Sequence, residues 1–232
     1  NAPAESILDR YLARRAAARA AGARSAVDAA LAGQFAASVE SASRLKDLRW
    51  VMDFTGGADV ADQAAVAVEA LSLGVSRCVT LASVGGALGW DTHADNDNQQ
   101  SPMWETLFSG LGQLMQLLAA TPGTTAASLA DETVLVVLSE MGRTPQLNAF
   151  NGKDHWPYTS AMIVGPNLTG DRVVGGYDRN FYGKNVDPLS GDTTDAGEIL
   201  SAESLGATLL AMADVDPLDY VDGVEPILGI LA

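Results

Sequence analysis

The chain has 232 residues, 47% of them hydrophobic, and a formal net charge of −15 at pH 7. Its length and hydrophobic content are typical of a globular chain with one large domain, or a domain with an appendage, and no apolar run reaches membrane-spanning length. A surface this acidic would repel phosphate backbones, which argues against nucleic-acid binding.

The negative charge lies outside the first 50 residues, which carry 8 Lys/Arg against 5 Asp/Glu, whereas the remaining residues carry 6 against 24. Bound divalent cations would offset part of this charge. The single cysteine, Cys78, lies in an apolar run and is predicted to be a buried core residue. One cysteine allows no internal disulfide, which removes the disulfide argument for export without excluding export.

Two helices are predicted at the N-terminus. Residues 4–24 are rich in Ala and Arg, which favour helices, and Ser25 is placed to cap a second helix that runs to about Asp53. We interpret residues 1–53 as a helical segment appended to a main domain at 54–232. The arginine cluster of this segment is either a solvated helix face or a recognition surface.

The next part of the chain is predicted to alternate helices with strands. Apolar residues recur at helical spacing in two segments, 58–73, which ends at Gly74, and 104–118. Runs of apolar and β-branched residues predict buried strands at 76–83, 132–139 and 160–165.

Strand, helix and strand in this order favour a βαβ unit, so the expected fold class is α/β with a largely parallel central sheet flanked by helices. A glycine-rich turn is expected at 84–89, and loops with short hairpins at 166–200. Ser201 is placed to cap a last helix that ends at Met212.

Polar motifs follow the predicted strands, where ligands gather in open α/β sheets. Asp91 and His93 follow the first strand, Glu140 follows the second, and Asp154 and His155 precede the third. Imidazole nitrogens and carboxylate oxygens suit Zn²⁺ or Mn²⁺ better than Ca²⁺ or Mg²⁺. The alternative is that the two histidines, the only ones in the chain, are hydrogen-bonded structural residues.

Four further side chains near these motifs have two interpretations each. Arg143 is either a clamp for a bound phosphate or sulfate group or the partner of Glu140 or Asp154 in a salt bridge. Thr92 is either a nucleophile or a hydrogen-bonding support for its neighbours. Trp156 and Tyr158 are either a pocket wall or packing anchors.

The motifs "GWDTH", "SEMGRTPQLNAFNGKDHW", a "GG.Y" segment and "LSAESLGATLLAMADVDP" resemble domain of unknown function 1501 over roughly residues 65–232. This is a bacterial family placed among the alkaline-phosphatase-like and sulfatase-like proteins. Its members typically have Phe where this chain has Met141, and Arg is common where it has Lys153.

The resemblance implies an alkaline-phosphatase-like α/β fold, export to the periplasm or beyond, and metal-dependent hydrolysis of phosphate or sulfate esters. It also implies metal or site roles for Asp91, His93, Glu140, Asp154 and His155. Whole family members have a further N-terminal part with a "GG-x-S-H-x-D"-like segment, which has no counterpart here. We therefore expect the activity to be incomplete in this chain, with that portion or a second protein chain as its partner.

Two other functions share the same residues. The chain is alternatively a non-catalytic exported protein that binds an anionic ester or carbohydrate ligand, or a module in which the ion only holds long loops together.

Overall fold

The computed structural model of the chain describes residues 2–51, 57–84 and 89–232, so most of the predicted glycine-rich turn at 84–89 and the predicted helix end at Asp53 lie outside the described residues. The chain divides into two compact units. One comprises Asn1–Val84 and Glu105–Pro122, and the other comprises Gly85–Trp104 and Gly123–Ala232.

The two predicted N-terminal helices are confirmed. α1 spans Ala2–Ala21 and α2 spans Ala26–Val51, and the two helices pack against each other. The hydroxyl of Ser25 accepts a hydrogen bond from the backbone N–H of Asp28 at 3.1 Å, as the predicted cap requires. Among the side chains of this pair whose burial is described, the buried ones are small, Ala16 and Ala32.

The next two predicted helices are also confirmed. α3 spans Val60–Ser72 and is followed by Gly74 at φ +61°, whereas α4 spans Asn96–Ala120 and begins eight residues earlier than predicted. The two helices approach closely at Gly110, where a Cβ atom would lie 3.0 Å from the Ala61 backbone nitrogen. The predicted apolar stripe of α4 is buried at four leucines, Leu107, Leu111, Leu114 and Leu118, whereas Trp104 and Phe108 are exposed.

The predicted strand at 76–83 is wrong, and so is the predicted burial of Cys78, which is exposed. A side chain replaces the expected neighbouring strand. The amide of Gln63 in α3 donates to the carbonyl of Ala82 at 2.6 Å and accepts from its N–H at 3.0 Å. β-Branched residues favour extended backbone, but a β-strand also needs a second strand to pair with. Among the described residues, no strand pairs with this segment.

The sheet topology contradicts the expected parallel α/β fold. β1 (Leu135–Val137) pairs antiparallel with β4 (Met162–Val164), and β2 (Gly142–Arg143) pairs antiparallel with β3 (His155–Trp156). The second pair lies within the connection of the first, so the strands form nested hairpins. The alkaline-phosphatase-like fold class is therefore wrong for the described residues, which contain helices and short two-stranded sheets.

The C-terminal part agrees with the sequence. Residues 166–200 form loops with one short hairpin, β5 (Asn185–Val186) with β6 (Glu198–Ile199). Ser201 caps α5, which spans Ala202–Met212, by accepting from the N–H of Ser204. The described residues also contain three short 3₁₀ helices, at Leu129–Asp131, Pro217–Asp219 and Leu228–Ile230. Of the helices in the described ranges, none combines the length and apolar character needed to cross a membrane.

Candidate metal centre

Two polar segments of the second unit are held side by side by backbone hydrogen bonds. The N–H of Lys153 donates to the carbonyl of Thr92 at 3.0 Å, and the N–H of Asn96 donates to the carbonyl of Asn151 at 2.8 Å. Asn151 is at φ +55°, a left-handed conformation that Asn tolerates better than most residues. These contacts place the Asp-Thr-His motif against the Asp-His motif.

Three side chains converge where the two motifs meet. The Nε2 atoms of His93 and His155 are 3.2 Å apart. The Oδ1 atom of Asp91 lies 3.1 Å from Nε2 of His93 and 3.0 Å from Nε2 of His155. The three atoms therefore form a nearly equilateral triangle, small enough for one metal ion to contact all of them.

The cluster is open to solvent. The side chains of Asp91, His93 and His155 are 57%, 48% and 52% exposed. Asp154 lies on the other side of the His93 ring, where its Oδ1 atom is 2.9 Å from Nδ1. Asp154 is thus placed to orient His93 rather than to join the triangle.

Both carboxylates of the cluster are stabilised in their ionised forms. The hydrogen bond from Arg143, followed by that from His155, lowers the pKa of Asp91 to about 2. The hydrogen bond from His93, followed by that from Asn148, holds the pKa of Asp154 below its usual value. Both groups are therefore available as anionic ligands or acceptors at neutral pH.

Arg143 forms a salt bridge, but with a partner other than the two expected. Its Nη2 atom donates to Asp91 and its Nη1 atom donates to the carbonyl of Lys153 at 3.2 Å. Its side chain is only 17% exposed. Arg143 lies opposite His155 in the β2–β3 pair, so the strand register places its side chain beside the histidine that also contacts Asp91. Its remaining N–H groups are the part that a bound anion would use.

Thr92 fits the supporting interpretation better than the nucleophilic one. It is 1% exposed, and its hydroxyl donates to the Oδ1 atom of Asn96 at 2.7 Å. The same hydroxyl accepts from the side-chain amide of Gln100 at 3.0 Å. A buried hydroxyl that is engaged in both directions is not presented to a substrate.

The structure does not bring Glu140 into the cluster. It is exposed and does not belong to the group of ligand atoms that lie within 4.8 Å of one another. Trp156 follows His155 in β3, and consecutive residues of a strand face opposite sides. Its ring stacks on that of Tyr182, with centroids 5.8 Å apart, and Tyr158 lies against both rings. These contacts agree with packing anchors.

Sequence reasoning missed Asn148 and Gly152. The Nδ2 atom of Asn148 donates to Oδ1 of Asp154 at 3.1 Å and to the carbonyl of His93 at 3.0 Å. A Cβ atom at Gly152 would lie 1.9 Å from the carbonyl group of His93, so only glycine fits there. The turn-forming composition of the "NAFNG" stretch was the available signal.

A model of the family described as "Protein of unknown function (DUF1501)" matches residues 4–217, and the chain therefore belongs to this family. The match begins near the N-terminus rather than at about residue 65, so α1 and α2 lie within the family's own sequence. No curated protein and no solved structure matches the chain, and the match does not extend to the alkaline-phosphatase-like superfamily.

Proposed function

We propose that this DUF1501 chain binds a divalent transition-metal ion, Zn²⁺ before Mn²⁺, through Asp91, His93 and His155, and that the resulting centre hydrolyses phosphate or sulfate esters. The observation that carries the proposal is the convergence of two imidazole Nε2 atoms and one carboxylate oxygen within 3.0–3.2 Å of one another. This convergence supports the metal site directly. The reaction is inferred from the charge of the site and its openness to solvent.

The spacing of the three ligand atoms supports a transition metal. Ligands at 2.0–2.1 Å around a tetrahedral ion lie about 3.3–3.4 Å apart. Neighbouring ligands of an octahedral ion at similar bond lengths lie about 3.0 Å apart. The observed spacing falls between these values, so a small adjustment satisfies either geometry. The two imidazoles favour zinc and its neighbours over Ca²⁺ and Mg²⁺, which prefer oxygen ligands.

The exposure of the ligands favours a reactive centre over a structural one. Structural zinc sites are closed by four protein ligands, whereas catalytic sites have three and leave a position for water or substrate. Here three protein ligands converge, and each is about half exposed. A substrate can therefore reach the ion from solvent.

Charge supports an anionic substrate. Two carboxylates, Asp91 and Asp154, and one guanidinium, Arg143, leave the site with a single negative charge when both imidazoles are neutral. A bound divalent cation would turn this into a single positive charge within a strongly acidic chain. The centre would then be an attractive position for a phosphate or sulfate group.

When bound, the ion would supply Lewis acidity, polarising the ester and activating water as the attacking group. Asp91, His93 and His155 would hold the ion, with Asp154 fixing the His93 ring. Arg143 restrains Asp91, and its unused N–H groups would stabilise charge that develops on the ester oxygens. Thr92 fixes the first motif to the start of α4 through its hydrogen bonds with Asn96 and Gln100.

The test is metal binding followed by turnover. We would strip the purified chain of metal, titrate it with Zn²⁺, Mn²⁺, Ca²⁺ and Mg²⁺ by calorimetry, and then assay aryl phosphate and aryl sulfate hydrolysis. We expect one Zn²⁺ per chain, at least tenfold weaker binding in His155→Ala and Asp91→Asn, and no change in Asp195→Asn, an exposed carboxylate elsewhere in the same unit.

Equal zinc affinity in all four proteins would overturn the metal site. Because the activity is expected to be incomplete in this chain, robust turnover by the chain alone would overturn that expectation. Zinc binding with no turnover on either ester, by the chain alone or together with its partner portion, would overturn the hydrolase proposal and leave the metal site standing.

A further inference from the structure

Asn148 lies behind the proposed metal ligands and uses its whole side-chain amide. Its Oδ1 atom accepts from the backbone N–H groups of Phe150 and Gly152, both at 2.9 Å. Its Nδ2 atom donates to the carbonyl of His93 and to Oδ1 of Asp154. Because N–H groups can only donate and these oxygens can only accept, the orientation of the amide is fixed by its partners.

The contact between Asp154 and His93 decides where the imidazole carries its proton. An ionised carboxylate can only accept, so the Nδ1 atom of His93, 2.9 Å from Oδ1 of Asp154, must be the donor. In the neutral ring the Nε2 atom is then left with a lone pair. That lone pair faces Nε2 of His155, which is 3.2 Å away and donates to the ionised Asp91, and this is the side of the ring on which the proposed ion would lie.

We propose that Asn148 is a positioning residue that locks His93 in its Nδ1–H tautomer. Its Nδ2 atom binds both Asp154 and the His93 carbonyl, and so keeps the Asp154 carboxylate against Nδ1 of the His93 ring. This inference rests on the proposed metal function for its consequence but not for its geometry. Asn148 joins the segment that carries Asp154 to the segment that carries His93, which are 61 residues apart in sequence.

The lock matters because the two tautomers differ in metal binding. An Nε2–H ring directs a proton at the ion, so the protein must first convert it before His93 can bind. Removing a hydrogen-bonding support of this kind typically weakens metal binding by about 10–100-fold. We expect loss of Asn148 to fall in that range.

The most selective variant is Asn148→Asp. It keeps an oxygen for the N–H groups of Phe150 and Gly152, and so preserves the turn. It replaces the Nδ2 donor by a second oxygen that faces Asp154 and the His93 carbonyl, and so opposes the lock. Asn98→Asp is a matched control, because Asn98 Nδ2 also donates to an aspartate, Asp95, at 2.7 Å and the charge change is identical.

Two readouts test the inference. The first is the ¹⁵N chemical shift pattern of the imidazoles in metal-free protein at a pH of about 8.5, roughly two units above the ordinary imidazole pKa. The chain has two histidines, so His155→Ala assigns the remaining signal to His93. We expect the Nδ1–H pattern in the unmodified protein and in Asn98→Asp, and a shift towards Nε2–H in Asn148→Asp.

The second readout is zinc affinity, expected to fall about 10–100-fold in Asn148→Asp relative to Asn98→Asp. A His93 signal that is the same in all three proteins would overturn the inference, as would an Nε2–H pattern in the unmodified protein. If the tautomer shifts as expected but no protein binds zinc, the inference stands and the proposed function fails.

Discussion

Replacing Thr92 by Val separates its two interpretations, because the change keeps the shape of the side chain and removes only the hydroxyl. The lost hydroxyl bridges Asn96 Oδ1 and Gln100 Nε2 in a site where Thr92 is 1% and Asn96 6% exposed. Leaving a buried acceptor without its donor costs about 1–3 kcal/mol. Gln100 keeps the carbonyl of Trp90 as an acceptor at 3.1 Å, so its share of the cost is small.

Burying a methyl group in place of the hydroxyl offsets part of this cost by about 0.8 kcal/mol. The expected net loss in the free energy of unfolding is therefore about 0.2–2.2 kcal/mol. The measurement is urea unfolding followed by tryptophan fluorescence, which reports on this unit because Trp90, Trp104 and Trp156 all belong to it. The control is Thr193→Val, an exposed position of the same unit where a change within about 0.5 kcal/mol is expected.

A Thr92→Val protein as stable as the unmodified chain would refute the reasoning about the buried hydroxyl. If it also lost ester turnover while keeping its zinc affinity, the nucleophilic interpretation of Thr92 would be favoured instead.

Three further predictions concern stability and zinc binding. Gly110→Ala should destabilise the chain, because its Cβ atom would press on the α3 backbone. Gly112→Ala in the same helix has open space around the new Cβ atom and should stabilise the chain by about 0.5–1 kcal/mol. The two variants should therefore shift the thermal midpoint in opposite directions. Gly152→Ala should abolish zinc binding, because its Cβ atom would force the backbone of the Asp-Thr-His motif away. Gly170→Ala has no atom near the new Cβ atom and should leave zinc binding unchanged. Equal zinc affinities in the two variants would count against the close approach of Gly152 to His93. The pKa of Glu132 is lowered by hydrogen bonds from backbone N–H groups, so the stability it contributes is present above its ordinary pKa of 4.5 and is lost as pH falls through the lower folded value. The stability difference between the chain and Glu132→Gln should therefore shrink on acidification below about pH 4.5, and a difference that stays constant with pH would contradict the assignment.

Helices were predictable from the sequence because their signals are local. Ser25 and Ser201 cap the helices that they precede, and the α4 leucines recur at helical spacing and are buried. Strand partners are not local, so the apolar run at 76–83 gave no information about what would pair with it. In the structure its neighbour is the side chain of Gln63.

The site was predictable in its residue types but not in its geometry. Two histidines beside aspartates indicated a cluster, and the structure brings Asp91, His93 and His155 together. The expectation for Glu140 depended on a shared edge of a parallel sheet, and antiparallel hairpins have no such edge. Asn148 was missed because its role lies in a contact across 55 residues, which no local pattern records.

The triangle of ligand atoms also joins distant parts of a chain that has no disulfide to do so. Asp91 and His155 are 64 residues apart, and the single cysteine excludes an internal cross-link. An ion held between them would close that loop as a covalent bridge does, and in the chain-entropy treatment a bridge of this length disfavours the unfolded state by about 4 kcal/mol. The proposed centre would thus act as a reversible cross-link, and chelation would be expected to lower the stability of the nested hairpins.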